Sequence, residues 1–321
     1  MRGGVEPFGR GEHDRAPSSQ IAPESPGGCT RDRIALDEVR RYWGKKNIPQ
    51  QWYSEKQPFT LAWFNELAYK RFNVYYEHLG ETAEFQWHGG EEVLEIGCGI
   101  GTDAVEFARH GARVTAVDLG ADQVMLTKLN FELHGLPYTE IREANAERLP
   151  FPDETFDFVY SFGVIHHTPD TERAVNEIFR VLKKDGTAIV MVYARGWKHY
   201  LKRCFVHGLL LGKWLRNGFD WQLVYNEVSE VHGSSPKTNI YTKRGVRKLF
   251  SSFATVDARK KRLGEFFEYR PYNTAMFPLF VRNSLRLLNL EGWIGENWMV
   301  RAQKCHFPKE ARLWEVWFKN Y

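Results

Sequence analysis

The stretch that decides the fold is VLEIGCGIGT, at residues 93–102. Apolar residues in its first half predict a short buried strand, and the glycines that follow predict a tight loop. Residues 102–110 then carry apolar side chains at helical spacing. Glycine lets a backbone approach a ligand closely, and the first amides of a helix are free to face the ligand's polar end. The stretch therefore predicts a cradle for a polar ligand.

The spacing of the glycines narrows the choice of ligand. A dinucleotide fingerprint needs glycine at its first, third and sixth positions, and the sixth position counted from Gly97 is Thr102. The pattern is thus G-x-G-x-G, with Glu95 upstream, which disfavours an NAD-dependent dehydrogenase. The next apolar run, residues 113–117, ends in Asp118, whose carboxylate can accept hydrogen bonds from both ribose hydroxyls of an adenosine.

Two later segments strengthen the assignment to a class of protein. They are ANAERLPF at residues 144–151 and FDFVYSFGVIHH at residues 156–167. With the glycine loop and Asp118, they resemble the ordered motifs of the S-adenosylmethionine-dependent class I methyltransferases, in particular those related to ubiquinone and menaquinone biosynthesis. The likeness is close over residues 91–194 and loose over residues 241–269.

The resemblance implies a fold, a cofactor and a set of contacts. The fold is α/β: a Rossmann-like, doubly wound, mostly parallel seven-stranded sheet with helices on both faces, an N-terminal helical cover and a C-terminal extension. The cofactor is S-adenosylmethionine. Asn145 stands where the family usually has an acid, and its amide oxygen can accept the same bond from the adenine amino group. The cofactor contacts it implies are Glu95, Gly97, Gly99, Gly101, Asp118, Leu119, Asn145, Ala146, Glu147, Ser161 and Phe162.

Candidate catalytic residues follow from the chemistry of methyl transfer. A sulfonium supplies its own leaving group, so the protein mainly positions the acceptor and, where needed, removes a proton. His166 and His167 follow the fourth predicted strand, and histidine titrates near neutrality. Tyr193, at the tip of the fifth strand, is a second candidate for contact with the acceptor. The alternative for either histidine is a packing or capping role in its loop.

The pattern of segments predicts the domain organisation. Strands are expected near 92–96, 113–117, 139–143, 156–161 and 187–193, with an antiparallel pair near 254–258 and 262–269 closing the sheet. Helices are expected at 102–110, 121–134, 171–182 and 199–216, and from an N-cap at Thr242 through Phe250. The resulting division is a disordered tail (1–33), a helical cover (34–90), an S-adenosylmethionine-binding domain (91–270, with an insertion at 195–240) and an aromatic-rich extension (271–321).

Charge and composition bear on partners and location. Residues 195–321 carry 23 Lys and Arg against 10 Asp and Glu, whereas residues 1–194 carry 21 against 30. A basic, aromatic C-terminal third favours an anionic or amphipathic partner, although an ordinary solvated basic face is the alternative. Together with the aromatic cover segment, the basic amphipathic helix at 199–216 and the resemblance to quinone-pathway enzymes, this predicts a small, amphipathic or lipid-like acceptor, with peripheral membrane contact as a candidate property. An RNA methyltransferase and a non-catalytic binding protein of this fold are the other interpretations. No RNA-binding module is recognisable, so no nucleic-acid partner is expected.

The four cysteines are widely separated and predict neither a disulfide framework nor a metal site. No apolar run approaches the length of a membrane span, and the polar start predicts no secretory signal. We therefore expect a cytoplasmic protein without a bound metal. The sequence leaves the oligomeric state open.

Overall fold

The computed structural model describes residues 36–43, 54–196, 212–220, 223–224, 226, 235–261, 295 and 297–305. Within them, seven strands form one sheet in the order β3-β2-β1-β4-β5-β7-β6, with β7 antiparallel to both of its neighbours. The strands are β1 Glu92–Ile96, β2 Arg113–Asp118, β3 Glu140–Glu143, β4 Phe156–Phe162, β5 Leu182–Tyr193, β6 Thr255–Lys261 and β7 Asn297–Gln303. The expected fold class is confirmed.

The helices cover both faces of this sheet. They are α1 Leu61–Lys70, α2 Leu79–Thr82, α3 Thr102–Arg109, α4 Ala121–His134, α5 Thr171–Val181, α6 Lys213–Arg216 and α7 Lys243–Leu249. A π-helical turn, Arg71–Tyr75, continues α1, and short 3-10 turns occupy Phe85–Trp87 and Ile165–His167. Residues 36–43 are also helical. The expected N-cap is present, since the Thr242 hydroxyl accepts a hydrogen bond from the Gly245 amide.

The strand order reverses beside β1, and this places the ligand site. β1 pairs in parallel with β2 on one side and with β4 on the other, with Val93 opposite both Val114 and Phe158. The connections that leave β1 and β4 therefore run to opposite faces of the sheet. They open a crevice at the carboxyl ends of the strands, where ligands bind in open α/β sheets.

Aromatic side chains fill the core on the face that carries α3. The ring of Phe107 lies 4.7 Å from that of Phe85 and 5.3 Å from that of Tyr160. The His88 imidazole stacks on Phe158 at 3.7 Å. These contacts join the segment before β1 to the middle of the sheet, so the N-terminal cover packs on the sheet and not only on itself.

The first helix of the cover packs against the glycine loop. Trp63, Phe64 and Leu67 of α1 form a buried cluster with Ile100 and with Leu126 of α4. Trp63, a residue of the aromatic cover segment, is fully buried in this cluster. Its role in the structure is packing.

The end of the sheet differs from the expectation. The position between β5 and β6 belongs to Asn297–Gln303, within the segment expected to be a separate extension, and not to residues 262–269. The boundary at residue 270 was therefore wrong, because it cuts the last strand from its sheet. A strand of seven residues carries too weak a periodic signal to be recognised among neighbouring aromatic residues.

Several expectations lie outside the described residues: the tail at 1–33, the strand at 262–269 and most of the helix at 199–216, of which Lys213–Arg216 is described as α6. In the ranges that are described, every helix is too short or too polar to cross a bilayer.

The buried ring of Phe158, on which His88 stacks, gives a test of the packing on this face of the sheet. Phe158→Ala removes a fully buried ring, and we expect it to lower the free energy of unfolding by about 3–5 kcal/mol. Met125→Ala, at a side chain that is 61% exposed on α4, is the matched control and should change stability by less than about 0.5 kcal/mol. Urea unfolding followed by circular dichroism measures both; equal effects would contradict the packing described here.

Candidate active site

A cleft of about 230 Å³ lies at the carboxyl ends of β1, β2 and β4. Of the predicted site residues, those that line it are Glu95, Gly97, Gly99, Asp118, Leu119, Asn145, Ala146, Phe162 and His167. Those that lie outside its lining are Gly101, Glu147, Ser161, His166 and Tyr193. The structure thus brings nine of the predicted residues to one cavity.

The glycine loop is shaped by close packing on two sides. Gly97 has a φ of +78°, and a Cβ atom built on it would lie 2.2 Å from Cγ2 of Val164. Gly101 has a φ of +75°, and its Cβ would lie 2.7 Å from Cγ2 of Thr127. A Cβ on Gly99, at a φ of +58°, would meet nothing within 4 Å. Gly97 and Gly101 are therefore required by the protein's own packing, while Gly99 leaves open space on the cleft side of the loop.

Asp118 holds this loop from the end of β2. Its carboxylate accepts hydrogen bonds from the amide of Gly99 at 2.9 Å and from the amide of Gly120 at 3.1 Å. Burial raises the pKa of Asp118, and these amides partly oppose that effect. Each carboxylate oxygen keeps a further lone pair, so the side chain can still accept hydrogen bonds from a ligand.

A charged network forms the floor of the cleft. Arg71, from the turn after α1, donates two hydrogen bonds to the Asp103 carboxylate, and the Tyr160 hydroxyl donates to the same carboxylate at 3.0 Å. Burial alone would lower the Arg71 pKa, but Asp103 raises it above its ordinary value, so the guanidinium stays charged. Burial, and next the Asp103 charge, raise the pKa of Glu95 well above its usual range.

Asn145 is oriented by a turn. Its side-chain oxygen accepts a hydrogen bond from the Glu147 amide at 2.9 Å. Since only the oxygen can accept that bond, the amide nitrogen points elsewhere. Glu147 itself accepts from the Asp170 amide at 2.6 Å, next to the start of α5. This partly buried carboxylate, with a pKa raised by burial, joins two loops and does not line the cleft.

The two histidines have different positions. His167 lines the cleft, and its Nδ1 lies 3.0 Å from the Lys237 carbonyl. His166 is fully buried, with its ring 4.1 Å from that of Tyr193, and does not line the cleft. Burial lowers the pKa of His167 to about 4, and burial with the neighbouring His167 lowers that of His166 well below its usual value. Both rings are therefore neutral at physiological pH.

Sequence reasoning did not identify several residues of the cleft wall. Leu36, Val39 and Trp43 line the cleft from residues 36–43, and Arg71 and Gln123 line it from the turn after α1 and from α4. Leu36, Val39 and Trp43 recur at helical spacing, so their apolar face could be recognised. The sequence could not show that this face covers the cleft, because contacts between distant segments leave no local pattern.

The cofactor implied by the sequence can be tested against this wall. S-adenosylmethionine carries an ammonium and a sulfonium, two ribose hydroxyls and an adenine. Among the described residues, Oε2 of Glu95 is buried without a hydrogen-bond partner. A buried acceptor without a donor costs free energy, and an ammonium beside it would supply the donor and a compensating charge. With the open space at Gly99 and the remaining lone pairs of Asp118, the residues fit this cofactor.

Comparisons with known proteins agree with this assignment. Residues 94–190 match the family described as Methyltransferase domain. Phosphatidylethanolamine N-methyltransferase of Cereibacter sphaeroides is 32% identical over 133 residues, which are 39% of this chain and 65% of that protein. Ubiquinone biosynthesis O-methyltransferase of Klebsiella pneumoniae is 30% identical over 112 residues, 35% of this chain and 46% of that protein.

The chain thus spans less than two thirds of the length of these relatives. The solved structure of YcgJ from Bacillus subtilis aligns with a TM-score of 0.47 and 19% identity, over 72% of this chain and all of that one.

The carboxylate at the end of β2 gives a direct test of the site. Asp118→Ala removes an acceptor that holds the Gly99 amide and has lone pairs for a ligand. We expect it to weaken S-adenosylhomocysteine binding by about 1.5–3 kcal/mol, the usual worth of hydrogen bonds to a charged group. Asp122→Ala, at an exposed acid on the first turn of α4, makes the same charge change and should leave the affinity unchanged. Calorimetry that finds equal affinities for both variants would remove Asp118 from the site.

Proposed function

We propose that this chain transfers a methyl group from S-adenosylmethionine to a small molecule, because residues 94–190 match the family described as Methyltransferase domain. One observation carries the proposal above the others. A buried Glu95 carboxylate, with an oxygen that lacks a partner among the described residues, faces the same cleft as a glycine loop held by Asp118. An ammonium beside this side chain would supply the missing donor and would favour its charged form, which burial alone disfavours.

The residues that line the cleft can be assigned to different parts of the cofactor and to the acceptor. The cofactor supplies the electrophilic methyl group and a neutral thioether leaving group. Glu95 can bind its ammonium, and the Asp118 carboxylate can bind its ribose hydroxyls. Asn145, Ala146 and Leu119 lie where they can border the adenine. The acceptor is then left with the end of the cleft formed by Trp43 and His167, whose rings are 4.8 Å apart.

His167 is the residue we propose as the proton acceptor. A backbone carbonyl can only accept a hydrogen bond, so the contact with Lys237 places a proton on Nδ1 and a lone pair on Nε2. A pKa of about 4 keeps the ring neutral, with the Nε2 lone pair unprotonated, throughout the physiological range. The same burial makes His167 a weaker base than an exposed histidine, so the case for it as the proton acceptor rests on its place in the cleft wall. His166 and Tyr193 pack behind His167, so we propose that they support its ring and do not contact the acceptor.

The acceptor we propose is amphipathic or lipid-like. Leu36, Val39 and Phe162 give the cleft apolar walls, which suit an apolar body beside a single polar reacting group. The names of the two relatives support this class of acceptor, since one mentions phosphatidylethanolamine and the other ubiquinone biosynthesis. Lys213 and Arg216 of α6 lie near two exposed apolar side chains, Leu215 and Phe219, and this combination suits an anionic membrane.

Activity can be tested with a panel of acceptors. Purified full chain, S-adenosylmethionine labelled in its methyl group, and vesicles containing phosphatidylethanolamine or a long-chain demethylated quinol should give labelled lipid in one case. Polar controls without a lipid tail, such as 4-hydroxybenzoate, should react more slowly. Label transferred only to the polar compounds would reject the lipid-like acceptor while leaving methyl transfer intact.

With an acceptor identified, the histidines can be separated. His167→Ala should lower kcat by about 10²–10⁴-fold, the usual worth of a general base, whereas His166→Phe should stay within a few-fold. The pH profile adds a second test. Because the pKa of His167 is depressed to about 4, kcat/KM should not fall between about pH 8 and pH 6, where an ordinary histidine would begin to lose its neutral form. If turnover is unchanged in both variants, neither histidine acts as a general base, and methyl transfer depends on proximity alone.

The membrane surface has its own test. The full chain should pellet with vesicles containing phosphatidylglycerol at low salt and be released as salt rises, since exposed charges are screened beyond about 10 Å at 0.1 M. Replacing both Lys213 and Arg216 with Glu should abolish pelleting. The same double reversal at Arg244 and Arg247, exposed on α7, is the matched control. If both double variants lose pelleting equally, binding to the vesicles depends on the net charge of the protein and not on this surface.

A further inference from the structure

The helix at residues 36–43 presents one face to the cleft. Leu36, Val39 and Trp43 line it, while residues 37–38 and 40–41 are exposed. This face closes the cleft between the end of β2 and the loop that carries His167, because Trp43 packs against the His167 ring. Trp43 stands at the end of this helix, so the contacts that fix that end also fix the part of the cleft wall proposed to contact the acceptor.

The Trp43 end of this helix is held by a hydrogen bond from α4, the helix that begins shortly after Asp118. The side chain of Gln123, on the first turn of α4, donates to the Trp43 carbonyl at 2.7 Å. A carbonyl can only accept, so the atom facing Trp43 must be the amide nitrogen of Gln123. The position of the amide oxygen is fixed in turn, on the other branch of the same planar group.

That oxygen is in an unfavourable position without a ligand. Gln123 is buried and lines the cleft, and Oε1 is shielded from solvent with no hydrogen-bond partner among the described residues. Leaving such an acceptor unpaired costs free energy, so it favours any ligand group that donates to it. Gln123 follows shortly after Asp118 in the chain, the residue proposed to bind the ribose hydroxyls.

We propose that Gln123 is a positioning residue that links cofactor binding to the placement of Trp43. A ribose hydroxyl donates to Oε1, which holds the amide plane so that the nitrogen donates to the Trp43 carbonyl. The helix at 36–43 is then held down, and the Trp43 side of the acceptor site is complete only when the cofactor is bound. The acceptor consequently binds after the cofactor. The inference rests on the proposed function, since it takes the cleft as the cofactor site.

Hydrogen exchange on the full chain tests the link without knowledge of the acceptor. Saturating S-adenosylhomocysteine should slow amide exchange over residues 36–43 by about tenfold or more in the unaltered protein, because the ligand stabilises the closed position of the helix. Affinity is measured in parallel by calorimetry. A protein that fails to bind S-adenosylhomocysteine overturns the proposed function. One that binds it without slowed exchange at 36–43 overturns only the link.

Two substitutions separate the halves of the Gln123 side chain. Gln123→Met removes donor and acceptor, and should lose the slowed exchange and weaken S-adenosylhomocysteine affinity by about threefold to tenfold. Gln123→Glu keeps an acceptor for the ribose but cannot donate to Trp43. It should therefore hold affinity within about threefold while losing the slowed exchange. Thermal unfolding midpoints check that both variants fold. Slowed exchange that persists in both variants would show that the helix closes without Gln123.

Discussion

The contact between Gly97 and Val164 leaves no room for a side chain at residue 97, because a Cβ atom there would lie 2.2 Å from Cγ2 of Val164. This close approach brings the loop after β1 against the loop after β4, the two connections that diverge at the reversal of strand order. The cleft exists because these loops touch at their base and separate above it. The positive φ of Gly97 and its missing side chain are both needed for that contact.

An ion pair between Arg71 and Asp103 holds the floor of the same cleft in place. Arg71 comes from the cover and Asp103 from α3, and their contact joins the cover to the sheet at the point where Glu95 is buried. A lone buried carboxylate would be protonated or destabilising, but a positively charged ligand beside it changes that balance. Within the described part of the chain, the floor is thus held by an internal ion pair beside an acid whose Oε2 has no hydrogen-bond partner.

The end of the cleft that we propose for the acceptor is built from segments far apart in the chain. His167 follows β4 and is held by the Lys237 carbonyl, while Trp43 reaches it from the N-terminal helix. The buried hydroxyls of Ser235 and Thr238 also lie within 3.4 Å of Nδ1 of His167. Residues 235–238 therefore set the orientation of the histidine ring.

What the sequence alone determined is local. The glycine spacing at 97–101, the acid at 118 and the apolar runs of the first five strands predicted the sheet and its cleft, because each depends on neighbours in the chain. The resemblance of these motifs to those of the S-adenosylmethionine-dependent methyltransferases implied the cofactor. What only the tertiary structure decided is non-local. It placed β7 at Asn297–Gln303, separated His167 in the wall from His166 behind it, and brought Trp43 and Gln123 together across 80 residues. Such contacts depend on how packed elements meet in space, and short-range sequence patterns carry no record of that.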